Sequence, residues 1–328
     1  MRRLSAFAIF AAAIAAAAHA QDCGKNLKFN SEGEFKILQL TDLHLTPGKP
    51  EEAVKTFARI DFLVRSERPD FIAVTGDVVT DRKARSMWVS FLEHLDSCGV
   101  PYGVVFGNHD REQDLDARQI SELVASARGS VNLLDADGEL ADLRLQLMPS
   151  KAGKGTAAEI FLMDSNEYST IKGVDGYGWF RSSQVEWLRE ECGRSLQENG
   201  RHVPSVLFCH IPLNEFREAW EIKGFETMGT RAEKECSPAL NSGIFHCMVE
   251  TGNVFAAFCG HDHSNDYIAR LHGIILGYGR YSGDDTVYND LRHGARIIIL
   301  QEGKRELRSY IREDDGSIAF DCRSWKDL

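Results

Sequence analysis

Five short polar segments that follow runs of β-branched and aromatic residues constrain the fold of this chain more than any other feature. Runs of this kind, bounded by Gly, Asp and Asn, are typical of buried strands. The polar segments that follow them are therefore expected on loops along one edge of a sheet, where open α/β sheets place their ligands. The runs cover residues 35–40, 71–74, 102–106, 206–208 and 254–259.

The order of the elements predicts an α/β fold. Between residues 35 and 108 strands alternate with two helices, predicted at 51–66 and 83–96 from apolar residues at near-helical spacing. This alternation implies parallel strands with right-handed crossovers. After residue 132 the strands follow one another more closely, and a single predicted helix at 183–196 interrupts them. So many strands in one domain indicate two mixed sheets packed together with helices outside. The later strands are predicted at 143–148, 159–163, 206–208, 254–259, 274–276, 296–300 and 307–311.

The first twenty residues have the form of a secretory signal peptide. Arg2 and Arg3 precede an uncharged apolar stretch at residues 4–17, and Ala18-His19-Ala20 has the small-x-small form of a cleavage site. A spanning helix needs about 20 apolar residues, so removal is favoured, although an uncleaved anchor stays open. No linker or repeat divides residues 21–328, which are therefore predicted to form one domain of a secreted or periplasmic protein.

The charge of the chain argues against one class of partner. It holds 49 acidic and 38 basic residues, a formal net charge of −11, and loss of the first twenty residues would make it more negative. Such a surface repels nucleic acid and anionic lipid at long range, so neither is expected as the main partner. An anion can still bind where metal ions supply local positive charge.

All eight cysteines lie after residue 20 and would meet an oxidising compartment. Their connectivity cannot be read from the sequence alone. Cys23 and Cys322 could join the two ends of the domain. Cys236 and Cys247 could close a loop.

The polar segments together supply the ligands of a two-metal centre. Two cations about 3.5–4 Å apart can clamp the attacking and leaving oxygens of a phosphoryl transfer. They need a bridging carboxylate together with His, Asn and Asp ligands. Asp77 follows a glycine that lets the backbone turn, and it is the natural bridge. Asp42 and His44 lie two residues apart, point to the same side of their strand end, and would hold the first metal.

The remaining ligands come from later segments. Asn108 offers a neutral carbonyl oxygen to the second metal, and His210 comes from a later strand. His261 and His263 are again two residues apart and would be shared between the ions, so Asp262 would face away. The sequence therefore predicts two metal ions per chain, of Fe, Mn or Zn.

In this order the segments match the full pattern of the calcineurin-type metallophosphoesterases, which the chain resembles: Asp-x-His, Gly-Asp, Gly-Asn-His-Asp, His and Gly-His-x-His. The resemblance implies a four-layer α/β/β/α sandwich with a dinuclear centre between two mixed sheets. It spans residues 35–312, and within the family the chain is most similar to the small purple-acid-phosphatase-like branch. That likeness rests on residues 176–179, 209–213, 241–243 and 260–266.

The chain departs from the true purple acid phosphatases at one position. Those enzymes carry a tyrosine three residues after the bridging aspartate, and this chain has Thr80 there. Without that phenolate, the ferric iron and the colour of the purple enzymes are not implied.

The resemblance also gives roles to the two residues that follow Asn108. It implies that His109 reaches the substrate, with Asp110 as its partner. A neighbouring carboxylate favours and orients the imidazolium, which suits a general acid or a donor to a phosphoryl oxygen.

Five further residues could line a substrate pocket or could belong to ordinary loops. Three fall in the polar segment after residue 210, and two follow the strand that begins at residue 273. They are Asn214, Arg231, Asn241, Tyr278 and Tyr281.

These observations predict a metal-dependent phosphoesterase that acts on small phosphomonoesters, in which a hydroxide bridging the metals attacks phosphorus in line. One alternative is a phosphodiesterase acting on nucleotides or phospholipid headgroups, because the ligands do not separate the two and the pocket walls do. The other is a non-catalytic metal-binding module. His109 and Asp110 argue against that module, since a binder has no need of them.

Overall fold

The computed structural model describes residues 27–151, 155–222, 227–284 and 289–326. The predicted signal peptide and Cys23 lie outside these ranges. Within them, none of the helices is both long enough and apolar enough to cross a membrane.

The first half of the described chain follows the predicted alternation of strands and helices. Strand β1 covers Glu34–Leu40, helix α1 Pro50–Glu67, β2 Phe71–Thr75, α2 Ala84–Cys98 and β3 Tyr102–Val105. The elements that follow are α3 Ala117–Ser126, β4 Leu143–Leu147, β5 Ala158–Leu162, α4 Ser182–Asn199, β6 Ser205–Phe208, α5 Glu215–Glu221, β7 Thr227–Met228, α6 Ile244–Thr251, β8 Val254–Cys259, β9 Ile268–Leu271, β10 Ile274–Tyr278, β11 Gly294–Gln301, β12 Glu306–Glu313 and β13 Ile318–Lys326.

The strands form two mixed sheets, as predicted. One sheet has the order β13-β12-β11-β1-β2-β3, and the other has the order β4-β5-β6-β8-β10-β9-β7. In the first sheet β1, β2 and β3 run parallel, and in the second β5, β6, β8 and β10 do so. The carboxyl ends of parallel strands meet at the same edge of a sheet, so the polar segments after β1, β2, β3, β6 and β8 gather there.

Three apolar cores separate four layers. Phe35 and Phe208 belong to the core between the two sheets. Trp88 of α2 packs in a second core on the outer face of the first sheet, and Phe216 of α5 packs in a third core on the outer face of the other sheet. Burial of each such side chain contributes about 1.5–3 kcal/mol. The order of layers is therefore α/β/β/α, which confirms the predicted fold class.

Strand β1 shows how the sequence places a strand between two cores. Phe35 and Ile37 face the core between the sheets, whereas Leu38 and Leu40 face the core under the helices. Because successive side chains of a strand point to opposite faces, a strand buried on both faces is apolar almost throughout. The same reasoning explains why the predicted runs were continuous rather than alternating.

The prediction of one helix after residue 132 is wrong, because α5 and α6 also lie there. These helices have 7 and 8 residues, too few turns for a helical period to stand out from a short apolar run. Helix α3 was also missed, although Asp116 and Gln119 form a capping box at its start.

The predicted pair of Cys236 and Cys247 is wrong as well, because both are free thiols. Cys247 is buried in α6, where its Sγ lies 3.6 Å from the carbonyl oxygen of Val185. Cys236 lies on the loop beside Asp262, and its backbone N–H donates to that carboxylate. The pairing of Cys23 with Cys322 involves a residue outside the described ranges and stays a prediction.

Candidate metal centre

The candidate site forms where the carboxyl ends of the two sheets meet. The Nδ1–H of His210, after β6, donates to the carbonyl oxygen of Thr75 at the end of β2, at 2.7 Å. The backbone N–H of His261, after β8, donates to the carboxylate of Asp42 after β1, at 3.1 Å. These bonds cross from one sheet to the other, so they fix the two sets of polar side chains relative to each other.

Four of the predicted ligands have a left-handed backbone. The φ angles are 53° at Asp42, 43° at His44, 52° at Asp77 and 80° at His261. Such conformations cost about 1–3 kcal/mol each for residues other than glycine, and they persist where the surrounding structure over-determines them. Four such conformations occur together at this site, which indicates that the surrounding structure fixes the direction of these side chains.

Gly76 allows the loop before Asp77 to approach the second sheet. Its φ is +87°, and a Cβ atom there would lie 2.6 Å from Nδ1 of His210. Any other residue would therefore push the His210 ring away, so the glycine of the Gly-Asp segment has a steric reason.

The first group of ligand atoms belongs to Asp42, His44 and His263, which are all buried. The Nε2 atoms of His44 and His263 are 3.1 Å apart, and Nε2 of His263 lies 3.4 Å from Oδ1 of Asp42. We call these three residues cluster 1.

The second group, cluster 2, belongs to Asp77, His210 and His261. Nε2 of His210 lies 3.2 Å from Oδ2 of Asp77 and 3.2 Å from Nδ1 of His261. The same Oδ2 of Asp77 lies 3.8 Å from Nε2 of His44 in cluster 1. Asp77 thus stands between the clusters, where a bridging ligand would be, and His261 and His263 divide one to each cluster.

The residues present fit metal ions. The Oδ1 atom of Asn108 is buried and lacks a hydrogen-bond partner among the described residues, whereas its Nδ2 donates to the hydroxyl of Tyr168 at 3.1 Å. A buried polar atom without a partner costs about 1–3 kcal/mol, which a cation at that oxygen would offset. Clustered imidazole and carboxylate groups are ligands that Fe, Mn and Zn accept.

The electrostatics of the clusters are those of a cation site. Burial lowers the pKa of His44 to about 4 and that of His261 to about 3, so both rings are neutral, as coordination requires. Burial also opposes the charge on His210, but the carboxylate of Asp77 outweighs it and raises the pKa of His210 to about 10. Burial acts to raise the pKa of Asp77, and the charge of His210 outweighs it and lowers that pKa. A metal ion at cluster 2 would displace the proton of His210.

His109 lies beside the clusters but faces outward. Its backbone N–H donates to Oδ1 of Asp77 at 2.9 Å, and its ring centroid is 5.6 Å from that of His44. The side chain is 40% exposed, so solvent or a ligand can reach it. Its Nδ1 atom lies 2.5 Å from Oε2 of Glu112.

The predicted pairing of His109 with Asp110 is therefore wrong, and the partner is Glu112. Asn108–Arg111 form a 3₁₀ turn, in which side chains three residues apart eclipse each other and neighbours diverge. Glu112 follows His109 by three residues and shares its side of the turn. The sequence showed Glu112, but only the turn geometry selects it.

Asp110 has a structural task instead. Its carboxylate is fully buried and accepts backbone N–H groups from both loops. Oδ2 accepts from Asp77 at 2.9 Å and from Gly107 at 2.8 Å, and Oδ1 accepts from Val78 at 2.8 Å and from Val79 at 3.3 Å. Asp110 thus ties the loop after β2 to the loop after β3 directly beneath Asp77.

The two tyrosines predicted for the pocket are both buried. Tyr278 is fully buried and donates its hydroxyl to Oδ2 of Asp262 at 2.6 Å, so its prediction as a pocket residue is wrong. Tyr281 donates its hydroxyl to the carbonyl of Leu291 at 2.8 Å, and its ring stacks on His263 with centroids 5.8 Å apart. Tyr281 therefore supports cluster 1 from behind.

The other three predicted pocket residues make contacts within their own segment. Asn214 donates to the carbonyl of Pro238 at 2.8 Å, and Asn241 donates to Glu215 at 2.7 Å. Arg231 makes a two-pronged ion pair with Glu235, at 2.6 and 2.8 Å. These contacts hold the loops between β6 and α6, and a role in substrate binding stays a prediction.

Two tyrosines that sequence analysis did not assign to the site lie against it. The ring of Tyr177 meets His261 edge to face, with centroids 4.3 Å apart, and Tyr168 stacks on Tyr177 at 5.7 Å. Tyr168 is 42% exposed and lines an adjoining cavity of about 510 Å³, together with Arg111, Trp179 and Arg181. The segment at residues 176–179 was noted only for its family likeness, because nothing local links it to a site.

Proteins of known sequence are similar to this chain over most of its length. "Probable inactive purple acid phosphatase 14" of Arabidopsis thaliana is 31% identical over 93% of this chain and 83% of its own length. "Phosphatase DCR2" of Saccharomyces cerevisiae is 29% identical over 75% of this chain and 47% of its own length.

A solved structure shares the fold. A dimetal phosphatase from Danio rerio superposes with a TM-score of 0.62 at 15% identity, covering 90% of this chain and 99% of that one. The family described as "Calcineurin-like phosphoesterase" matches residues 35–265. Its extent, together with the relative that is 31% identical over 93% of the chain, places the protein among the calcineurin-like phosphoesterases.

Proposed function

We propose that this chain is a secreted, metal-dependent phosphoesterase that hydrolyses small phosphomonoesters. The observation that carries the proposal is the sharing of Asp77 by the two ligand clusters, with the partly exposed His109 beside them. A site of this form suits in-line attack on phosphorus, because both the attacking and the leaving oxygen need positive charge close by.

The ligand set divides between two ions that share one carboxylate. When bound, these ions supply the positive charge that activates water and binds the phosphoryl group. Cluster 1 would hold one ion, cluster 2 with Asn108 would hold the other, and Asp77 would bridge them. Fe, Mn and Zn are the ions we propose.

His109 is the residue best placed to act on the substrate. Its Nδ1 is taken up by Glu112, so Nε2 is the atom left for a ligand. As an imidazolium the ring also carries a proton on Nε2, which it can share with a phosphoryl oxygen in a hydrogen bond or transfer to the leaving oxygen. The exposure of its side chain distinguishes it from His44, His210 and His263, which are buried.

The names of the relatives raise a rival proposal, a protein that binds metal without turnover. The plant relative is called "probable inactive", and the yeast relative is called a phosphatase. In this chain Thr80 bonds to Thr46 rather than to either cluster, yet all seven predicted ligands and His109 are present. We therefore expect that the absence of the tyrosine ligand does not by itself prevent hydrolysis.

Parallel assays on a monoester and a matched diester test the proposal. The purified protein would be reconstituted with Fe, Mn or Zn, and the Asp77→Asn variant would serve as the control for contaminating activity. Faster turnover of the monoester supports the proposal, and faster turnover of the diester replaces it with a phosphodiesterase. Metal binding without turnover of either ester would favour the non-catalytic module.

A further inference from the structure

Glu112 holds two side chains of the candidate site at once. Its Oε2 lies 2.5 Å from Nδ1 of His109, and its Oε1 accepts a hydrogen bond from the hydroxyl of Tyr168 at 2.8 Å. That hydroxyl in turn accepts from Nδ2 of Asn108 at 3.1 Å. A continuous chain of hydrogen bonds therefore joins His109 to a predicted metal ligand.

We propose that Glu112 is a positioning residue, which fixes the tautomer of His109 directly and the orientation of the Asn108 amide through Tyr168. The inference rests on the proposed function, because it assigns a task within that same site. Glu112 itself would touch neither substrate nor metal.

The first part of the argument concerns His109. A carboxylate has no proton to give, so the contact with Glu112 requires Nδ1–H of His109 to be the donor. The other ring nitrogen, Nε2, is then the one presented to a ligand. An exposed histidine without such a partner would sample several rotamers and both tautomers, and ordering it at the moment of reaction would cost entropy.

The second part concerns Asn108, whose amide could face the clusters with either its oxygen or its nitrogen. The single proton of the Tyr168 hydroxyl goes to Glu112, which leaves the hydroxyl oxygen as an acceptor. Only the amide NH₂ of Asn108 can donate to it, so Oδ1 is turned the other way. That Oδ1 is the buried atom without a partner among the described residues, and it is the atom a metal would need.

A double-mutant cycle on metal-loaded protein tests the proposal. Glu112→Ala should slow hydrolysis of esters with basic leaving groups by about 10–100-fold, which is the usual cost of removing a residue that orients a metal ligand. In the His109→Ala background the same change should cost clearly less, because only its effect on Asn108 through Tyr168 is left. Tyr168→Phe keeps the ring and should give a smaller loss. Glu167→Ala removes a neighbouring carboxylate that pairs with Arg111 instead, and it should leave the rate unchanged.

A second readout needs neither metal nor turnover. In the metal-free protein, at a pH at which His109 is neutral, imidazole ¹⁵N shifts should report the Nδ1-protonated tautomer in wild type and a shift toward the Nε2-protonated one in Glu112→Ala. Equal losses from Glu112→Ala with and without His109, or an unchanged tautomer, would overturn the inference. A wild-type protein that turns over no phosphoester would overturn the proposed function, and the ¹⁵N shifts would still decide whether Glu112 sets the tautomer.

Discussion

Replacement of Asp110 by asparagine tests the structural role of its carboxylate. Asparagine has nearly the same shape but keeps only one acceptor oxygen and puts an NH₂ group in place of the other. The two oxygens of Asp110 each accept two backbone N–H groups. In the variant, two of these four N–H groups would face the NH₂ group of the asparagine, which cannot accept a hydrogen bond. The change is therefore expected to weaken the fold beneath Asp77.

The size of the effect follows from the number of donors left without a partner. Asp110 is fully buried, so water cannot replace the lost oxygen. Each buried N–H group without a partner costs about 1–3 kcal/mol, so two of them predict a loss of about 2–6 kcal/mol in the free energy of unfolding. Because the N–H of Asp77 is one of the four groups that Asp110 holds, metal affinity should fall as well.

Denaturant unfolding of the metal-free protein measures the stability, and metal analysis measures the affinity. Asp114→Asn is the matched control, since Asp114 is exposed and an asparagine keeps an oxygen for the N–H of Ala84. Any activity that Asp110→Asn retains should fall equally on all leaving groups. A variant as stable as wild type, with a loss confined to basic leaving groups, would restore Asp110 as the partner of His109 and refute the reasoning.

Four further outcomes are expected. Asp77→Asn should weaken both metal sites and abolish turnover, and metal analysis that finds two tightly held ions per chain would contradict its place as the bridge. His109→Ala should keep the metals and slow esters with basic leaving groups by about 10²–10⁴-fold, with a smaller loss for acidic phenols. Steady-state kinetics on a leaving-group series measures this, and loss of metal would show that His109 is a ligand. With Thr80 in place of a phenolate ligand, iron-loaded protein should lack a strong tyrosinate-to-iron band in its visible spectrum. Intact mass of protein from its native compartment should show the loss of residues 1–20, and their retention would favour an anchored form.

The sequence alone determined the strands that carry the site and the residue types at their ends. A buried strand can be recognised from its local sequence, because it is a short apolar run that ends at glycine or a polar residue. The residue that follows the run then lies at the edge of the sheet. For that reason Asp42, Asp77, Asn108, His210 and His261 could be named, and the order of the layers expected, before any contact was known. The short helices α5 and α6 were not predicted, because seven or eight residues are too few to show the helical repeat of apolar residues.

Only the tertiary structure decided which side chains meet. The approach of His210 to Thr75 and of His261 to Asp42 joins residues 135 and 219 positions apart, and it depends on how the two sheets pack. The exchange of Asp110 for Glu112 as partner of His109 depends on a single 3₁₀ turn, which sends adjacent side chains apart and brings every third one together. Composition and spacing specify which groups are available, whereas the direction of each side chain follows from backbone angles that long-range packing sets.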